Sequence, residues 1–205
     1  MTTGQPVTPT GKPESLKFSG LPLEFQVLLI SFQNNFQSLK YVVLPAANSV
    51  QEKYLEEQCI HVDKNDQPIC SVSKEDCHKA SVLHRAFSVF IFDTQKRLLL
   101  QKRAKEKITF PGVWSNTCCS HPLYNQAEMD ENQAMGVKRA AARKLENELG
   151  ISNIPLDKFH MVGRFTYDFM SDKVWREHEI DYALVVLTLK VNSLQTLKKS
   201  LKLDS

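Results

Sequence analysis

The chain has 205 residues, a length that fits one folded domain with a tail. Its hydrophobic content of 42% is ordinary for a soluble globular protein, and its formal net charge of +3 is too small to indicate a nucleic-acid partner. No apolar run approaches the ~20 residues that a membrane span needs, and five cysteines without a secretory signal peptide indicate reduced thiols inside the cell.

Three segments are predicted along the chain. Residues 1–50 form an N-terminal extension whose first part, rich in proline and threonine, is predicted to be disordered. Residues 51–189 form the folded domain. Residues 190–205 form a basic tail in which Leu194, Leu197 and Leu201 recur at the spacing of a short amphipathic helix.

The pattern of the folded domain mixes strands with one strong helix. A charged helix is predicted over 51–58, and two short strands then flank a turn at 63–66. Apolar residues at helical spacing and a terminal glycine predict a helix over 133–149. Further strands are predicted over 82–92, 97–101, 165–169 and 179–189. Short connections between such elements predict a single domain of the α/β or α+β class.

Two glutamates alternate with a histidine in the string Glu177-His178-Glu179. If residues 177–189 form a strand, Glu177 and Glu179 project from one face and His178 from the other. Two neighbouring carboxylates repel each other unless a cation or a proton separates them. The pair therefore indicates metal binding or acid–base chemistry.

Three histidines are candidate metal ligands beside these carboxylates. Imidazole and carboxylate together suit zinc, manganese or magnesium. The set would comprise His78, His84, His121, Glu177 and Glu179. The alternative is that each histidine is an isolated polar residue. A zinc site of Cys118, Cys119 and His121 is a further alternative, which we disfavour because adjacent cysteines rarely both reach one tetrahedral ion.

Other polar residues also admit a functional and an ordinary interpretation. Cys119 is either a structural thiol or a reactive one polarised by a metal-bound histidine. Lys144 and Glu148 share one helix face, either as a surface ion pair or as part of a site. The basic residues either remain on a solvated surface or converge on an anion such as a diphosphate. These residues are Lys74, Arg103, Lys107 and Lys144.

Five strings in the chain are similar in kind and order to those of one enzyme family. They are HRAFSVF at 84–90, ITFPG at 108–112, SNTCCSHPL at 115–123, ENELGI at 146–151 and WREHEIDY at 175–182. Over about residues 54–187, the chain resembles a type I isopentenyl-diphosphate isomerase, a branch of the Nudix fold. Lys144 and Asn147 stand where Nudix hydrolases have glutamates, which favours the isomerase branch.

The resemblance implies the residues that carry out the chemistry. Cys119 and Glu179 would lie on opposite faces of the alkene of isopentenyl diphosphate. One would protonate the terminal methylene and the other would remove a proton from the neighbouring carbon, giving dimethylallyl diphosphate. Tyr167 matches a family tyrosine that polarises the acid. A dry pocket is needed, because water would quench the carbocation-like intermediate.

The resemblance also implies two metal sites and a substrate clamp. A first divalent ion, Mg²⁺, Mn²⁺ or Zn²⁺, would bind His78, His84, His121, Glu177 and Glu179. Glu148 would hold a second ion, a Mg²⁺ shared with the diphosphate. Lys74, Arg103 and Lys107 match the family's diphosphate clamp, and Lys144 stands where the family has a basic residue.

The chain departs from the family pattern in three places. The link between His78 and His84 is shorter than in animal relatives, and Arg176 replaces the usual glycine, where it would either perturb the carboxylates or project to solvent. After about Val186 the family's C-terminal elements are missing, including a tryptophan that faces the developing cation. Trp114 is a possible substitute for that indole.

Together these observations predict an α/β, Nudix-type mixed-sheet sandwich with flanking helices and isopentenyl-diphosphate isomerase activity. The alternatives are a truncated, inactive isoform that binds metal or diphosphate, and a Nudix-type diphosphate hydrolase. The expected partner is a small prenyl diphosphate, with no nucleic acid and no membrane span. We expect a monomer in the cytoplasm or, without a clear targeting signal, in peroxisomes.

Overall fold

The structure is a computed structural model that describes residues 53–105 and 107–189. The predictions made for residues 1–50 and for the tail at 190–205 therefore lie outside the described residues. No helix of the described part has the length and hydrophobicity needed to cross a bilayer.

The described residues form a short helical stretch at 53–55, followed by eight strands and two further α-helices. The helices are α1 (Lys74–Lys79) and α2 (Met135–Leu149), and short 3-10 turns occupy Asn132–Ala134 and Leu156–Lys158. The strands are β1 (Gln58–Val62), β2 (Pro68–Ser73), β3 (His84–Asp93), β4 (Gln101–Lys102), β5 (Trp114–Ser115), β6 (Cys118–Ser120), β7 (His160–Met170) and β8 (Arg176–Leu189). The prediction of a mixed α/β fold is confirmed.

Six of the strands form one mixed sheet. The strand order is β2-β1-β3-β8-β7, with β6 pairing against β3, and β4 and β5 form a separate two-stranded ribbon. Only the β3–β8 pair is parallel within the described sheet. In this register His84 lies opposite Glu179, and Ser88 lies opposite Cys119. Because paired residues share a sheet face, the register places these four side chains on the same face.

The other face of the sheet packs against α2. The helix contributes Ala141 and Leu145, and the sheet contributes Phe87, Val89 and Leu184. All five side chains are completely buried. Helix α2 ends at Gly150, whose φ of 63° is left-handed and whose N–H donates to the carbonyl oxygen of Glu146. The predicted helix is confirmed, except that its first turn is a 3-10 turn.

Two predicted elements differ from the structure. The helix predicted over 51–58 is present at residues 53–55 of the described part but ends earlier than predicted, because β1 begins at Gln58 and buries Cys59 and Ile60 in the sheet. The predicted strand over 97–101 makes only a single bridge, between Leu98 and Phe92, before β4 begins and pairs with β5 instead. The sequence pattern did not indicate the pairing of β4 with β5, because that contact joins segments separated by a loop.

Candidate active site

Three imidazole rings and one carboxylate form a compact buried cluster. The ring centroids of His78, His84 and His121 lie 4.9–5.1 Å from one another. The Nε2 atoms of these rings lie 3.9, 3.4 and 2.9 Å from Oε1 of Glu179, in that order. The four ligand atoms lie within 4.8 Å of one another, which is the spacing that one shared metal ion requires.

Backbone carbonyls orient two of these rings. The Nδ1 atom of His78 donates to the carbonyl oxygen of Lys74, and Nδ1 of His84 donates to that of Val82, each at 2.7 Å. Since a carbonyl only accepts hydrogen bonds, Nδ1 carries the hydrogen in both rings. In the neutral form of each ring the lone pair is therefore on Nε2, which faces the cluster, an arrangement typical of metal-ligating histidines.

The protonation of the cluster suits a cation. Burial lowers the pKa of His78 to about 4, and burial also lowers the pKa of His121 well below its usual value, so both rings are neutral near pH 7. Burial acts the same way on His84, but Glu179 outweighs it and raises the pKa. Nε2 of His84 is buried and lies 3.4 Å from Oε1 of Glu179, yet it makes no hydrogen bond among the described residues. A buried lone pair of this kind is costly unless a proton or a cation meets it.

A tyrosine bridges the two alternating carboxylates. The hydroxyl of Tyr167 has one proton to donate and lies between the two groups, 2.5 Å from Oε2 of Glu179 and 3.0 Å from Oε2 of Glu177. Burial and the two negative charges raise the pKa of Tyr167, which keeps it protonated. Burial and the charge of Glu179 raise the pKa of Glu177. Burial alone would raise the pKa of Glu179 too, but His121 and His84 outweigh it and hold that pKa well below its usual value.

The two adjacent cysteines point to opposite faces of the sheet. Cys118 is fully buried and lies in the core cluster, whereas Cys119 faces the site. Its sulfur lies 3.6 Å from Nη1 of Arg103 and 3.8 Å from Oγ of Ser115. Burial raises the pKa of Cys119 although Arg103 opposes the shift, so the thiol is neutral near pH 7. The two sulfurs do not converge on one ion, which removes the alternative zinc site.

Basic side chains surround Glu148 on the far side of the site. The Nζ atoms of Lys107 and Lys144 each lie 3.3 Å from Oε1 of Glu148, and the Lys144 side chain is only 1% exposed. Burial alone would raise the pKa of Glu148, but the charges of Lys107 and Lys144 outweigh burial, so the pKa of Glu148 lies below its usual value. The pKa of Lys74 is lowered by burial and by the charge of Lys144. The Lys144–Glu148 pair is therefore a buried pair and not a surface ion pair.

One pocket brings together the residues that the sequence singled out. Of the predicted catalytic, substrate-binding and metal-binding residues, all except His84, which is completely buried at the cluster, line this pocket. The lining residues among them are Lys74, His78, Arg103, Lys107, Cys119, His121, Lys144, Glu148, Tyr167, Glu177 and Glu179. The histidine cluster, the thiol and the basic group thus share one cavity, although they are far apart in the sequence and no local spacing connects them.

Several lining residues were not predicted from the sequence. Leu55, Phe87, Ile108, Thr109 and Ser120 complete part of the wall. The ring of Tyr54 lies 4.1 Å from Nζ of Lys144 and also lines the pocket, but nothing local in the sequence marks a tyrosine for such a contact.

The indole in the pocket belongs to Trp175 and not to Trp114. Trp175 lines the pocket, and Nζ of Lys79 lies 5.2 Å from its ring centroid. Trp114 lies on β5, 41% exposed, and is not among the pocket-lining residues. The sequence feature that could have identified Trp175 is its position two residues before Glu177, because residues two apart in an extended chain point the same way. Arg176, next in the chain, pairs with Asp168 through Nη2 at 2.6 Å, on the face away from the carboxylates.

Comparisons with known proteins agree with the resemblance. The NUDIX domain family model matches residues 82–200. The chain is 50% identical over 143 residues to isopentenyl-diphosphate Delta-isomerase 1 of Bos taurus, covering 66% of this chain and 63% of that protein. It is 47% identical over 149 residues to isopentenyl-diphosphate Delta-isomerase I, chloroplastic, of Arabidopsis thaliana, covering 68% of this chain and 51% of that protein.

A fungal relative gives a similar result. The chain is 50% identical over 146 residues to isopentenyl-diphosphate delta-isomerase IDI1 of Gibberella zeae, covering 66% of this chain and 58% of that protein. The match therefore spans less than two thirds of the length of each of these three relatives.

Proposed function

Because the chain belongs to the NUDIX domain family, we propose that it acts as an isopentenyl-diphosphate delta-isomerase. The observation that carries the proposal is the pairing, in one pocket, of a neutral thiol on Cys119 with an ionised carboxylate on Glu179. One proton donor and one proton acceptor are what a 1,3-proton transposition requires. The identity of about half of the aligned residues with three proteins of that name supports the same reaction.

The proposed reaction moves one double bond and exchanges two protons. One member of the pair adds a proton to the terminal methylene of isopentenyl diphosphate, which leaves positive charge on the branched carbon. The other member removes a proton from the carbon on the diphosphate side, and those electrons form the new double bond of dimethylallyl diphosphate. The hydroxyl of Tyr167 holds Glu179 in place through its 2.5 Å hydrogen bond. No oxidant is consumed, and the reverse reaction uses the same pair.

The histidine cluster supports a bound divalent ion as part of this proposal. His78, His84, His121 and Glu179, whose ligand atoms cluster, would hold it. Glu177 lies outside that cluster but lines the same pocket, and it is the further ligand that the resemblance implies. The mixture of imidazole and carboxylate suits Zn²⁺, Mn²⁺ or Mg²⁺. When bound, such an ion would fix the orientation of the Glu179 carboxylate and neutralise the repulsion between the two glutamates. The unpartnered Nε2 of His84 supports this assignment.

The basic end of the pocket supports binding of the diphosphate. Arg103, Lys74, Lys107 and Lys144 supply the positive charge, and Glu148 would hold a Mg²⁺ shared with the diphosphate oxygens. Binding of this remote group would position the alkene between Cys119 and Glu179, so that binding energy favours the transition state. The face of Trp175, also in the pocket wall, suits the positive charge that develops on the branched carbon.

Incubation of the purified protein with isopentenyl diphosphate and Mg²⁺ tests the proposal. We expect dimethylallyl diphosphate as the product, measured by chromatography. Release of phosphate would instead indicate a diphosphate hydrolase, and an unchanged substrate would indicate an inactive protein that only binds metal or diphosphate. Either of these results overturns the proposed activity. A monomeric state and a cytoplasmic or peroxisomal location stay predictions from the sequence.

A further inference from the structure

The link between two of the cluster histidines has an unusual backbone conformation. His78 lies in α1 and His84 begins β3, so only five residues turn the chain between them. The N–H of Val82 donates to the carbonyl oxygen of Cys77 at 3.0 Å, the bond that closes a Schellman motif at the end of α1. Ser81 occupies the left-handed position of that motif with a φ of 56°. Glycine is the usual residue there, because an L side chain is strained in this conformation.

A side chain from the carboxylate-bearing strand holds this link in place. Nδ1 of His178 donates to the carbonyl oxygen of Ser81 at 2.9 Å, across 97 positions of the chain. His178 lies between Glu177 and Glu179 on β8, on the face turned away from them. Strand β8 therefore presents its carboxylates to the histidine cluster on one face, and on the other face it is hydrogen-bonded to the link between His78 and His84.

From this contact we infer that His178 is a positioning residue that sets the distance between the histidines and Glu179. The link carries His78 at one end and His84 at the other, and its own Val82 carbonyl accepts the hydrogen bond that orients His84. If the link moves, both rings move relative to the carboxylate that they face at 3.9 and 3.4 Å. The inference rests on the metal site of the proposed function and adds to it a residue that never touches the ion.

The other groups around His178 do not take over this role. Asp168 lies opposite His178 in the β7–β8 pair, and its carboxylate is engaged by Arg176. Within the described part of the chain, the carbonyl oxygen of Ser81 accepts no side-chain hydrogen bond other than the one from His178. Loss of the imidazole would thus leave a strained turn without its cross-strand support.

The test compares His178→Ala with His178→Asn by titration of the metal-free protein with Mn²⁺, followed by electron paramagnetic resonance. We expect His178→Ala to weaken Mn²⁺ binding by about ten- to a hundredfold, the range typical of groups that orient metal ligands. His178→Asn keeps an N–H donor near the position of Nδ1, so it should bind within about threefold of the unchanged protein. His160→Ala, which removes an exposed histidine at the start of β7, is the matched control and should have no effect.

A second measurement separates this inference from the metal site and from the activity. In the metal-free protein, ¹H–¹⁵N spectra of the histidine rings should show shifted signals for His78 and His84 in His178→Ala but not in His178→Asn. Circular dichroism establishes that each variant is folded, and no step uses isopentenyl diphosphate. Unchanged ring signals in His178→Ala would overturn the inference even if the protein bound no Mn²⁺. Equal defects in the alanine and asparagine variants would overturn it as well.

Discussion

Replacing Glu148 by glutamine should both destabilise the protein and change how it binds diphosphate. Each of the two Nζ–Oε1 distances is 3.3 Å, and at an effective dielectric constant of about 20 such a pair attracts by roughly 5 kcal/mol before desolvation is subtracted. Measured losses on breaking one side of a buried ion pair are about 3–5 kcal/mol. For a chain of this size that loss corresponds to a fall in Tm of about 6–20 °C.

The same substitution should have opposite effects on diphosphate with and without Mg²⁺. Without the competing carboxylate, Lys107 and Lys144 are free to pair with an anion, so metal-free inorganic diphosphate should bind about tenfold more tightly, a gain of about 1.4 kcal/mol. Addition of Mg²⁺ should improve binding in the unchanged protein and not in Glu148→Gln, because the metal has lost its carboxylate ligand. Isothermal titration calorimetry measures both effects.

Glu146→Gln is the matched control for this prediction. Glu146 is an exposed residue on the same helix, two positions earlier, so its replacement changes the net charge by the same amount. We expect its Tm and diphosphate affinity to stay close to those of the unchanged protein. If Glu148→Gln lowered Tm by no more than this control, or if Mg²⁺ still improved diphosphate binding, the assignment of Glu148 as a bridge between the lysines and a Mg²⁺ would be refuted.

Three further predictions concern Cys119 and Tyr54. Cys119→Ala should abolish isomerisation and leave the unfolding midpoint nearly unchanged; retained turnover would refute a catalytic role for the thiol. Because burial raises the pKa of Cys119, its alkylation by iodoacetamide should be slow at pH 8 and become faster only above pH ~9. Rapid labelling at pH 7 would contradict a neutral thiol. Exposed Cys70 is the internal standard, and peptide mass spectrometry measures the labelling of each cysteine separately. Tyr54→Leu should raise the Kd of metal-free diphosphate by about 2–30-fold, equivalent to loss of a cation–π contact of about 0.5–2 kcal/mol. Tyr54→Phe keeps the aromatic ring and should leave the Kd unchanged. A Kd for Tyr54→Leu equal to that of the unchanged protein would exclude Tyr54 from the site.

Strand periodicity was sufficient to predict the orientation of the two glutamates. Glu177 and Glu179 alternate with His178, and β8 places the glutamates in the pocket and His178 on the other side. This succeeded because the period of two in a strand depends only on local backbone geometry. The same rule separates Cys118 from Cys119, although the sequence alone did not identify β6 as the strand that separates them.

Contacts between distant segments were beyond local reasoning. The hydrogen bond from His178 to Ser81 joins positions 97 residues apart, and the ring of Tyr54 meets Lys144 across the pocket. Neither contact can be predicted from hydrophobic periodicity or residue spacing, because both depend on how β8, α1 and α2 pack together. Trp114 was the wrong indole for the same reason, because its exposed position on β5 follows from pairing with β4.

The motif strings predicted the chemistry of the site better than its surroundings. Residue types that bind metals are few, so the histidines and glutamates in the strings indicated a cation, whereas the basic residues elsewhere in the chain fitted either a solvated surface or an anion such as a diphosphate. Their convergence was not evident from the residues alone, since Lys74 and Lys144 lie on different helices and an ordinary lysine is on the surface. The buried position of Lys144 became evident only once α2 was packed against the sheet.

The proposed isomerisation depends on Cys119 and Glu179 transferring protons to and from one double bond. Its most direct test is incubation with isopentenyl diphosphate in D₂O, with the position of deuterium in the product read by ²H NMR. We expect dimethylallyl diphosphate with deuterium in a methyl group, and no such signal from Cys119→Ala or Glu179→Gln. Product free of deuterium, or equal labelling by either variant, would contradict it.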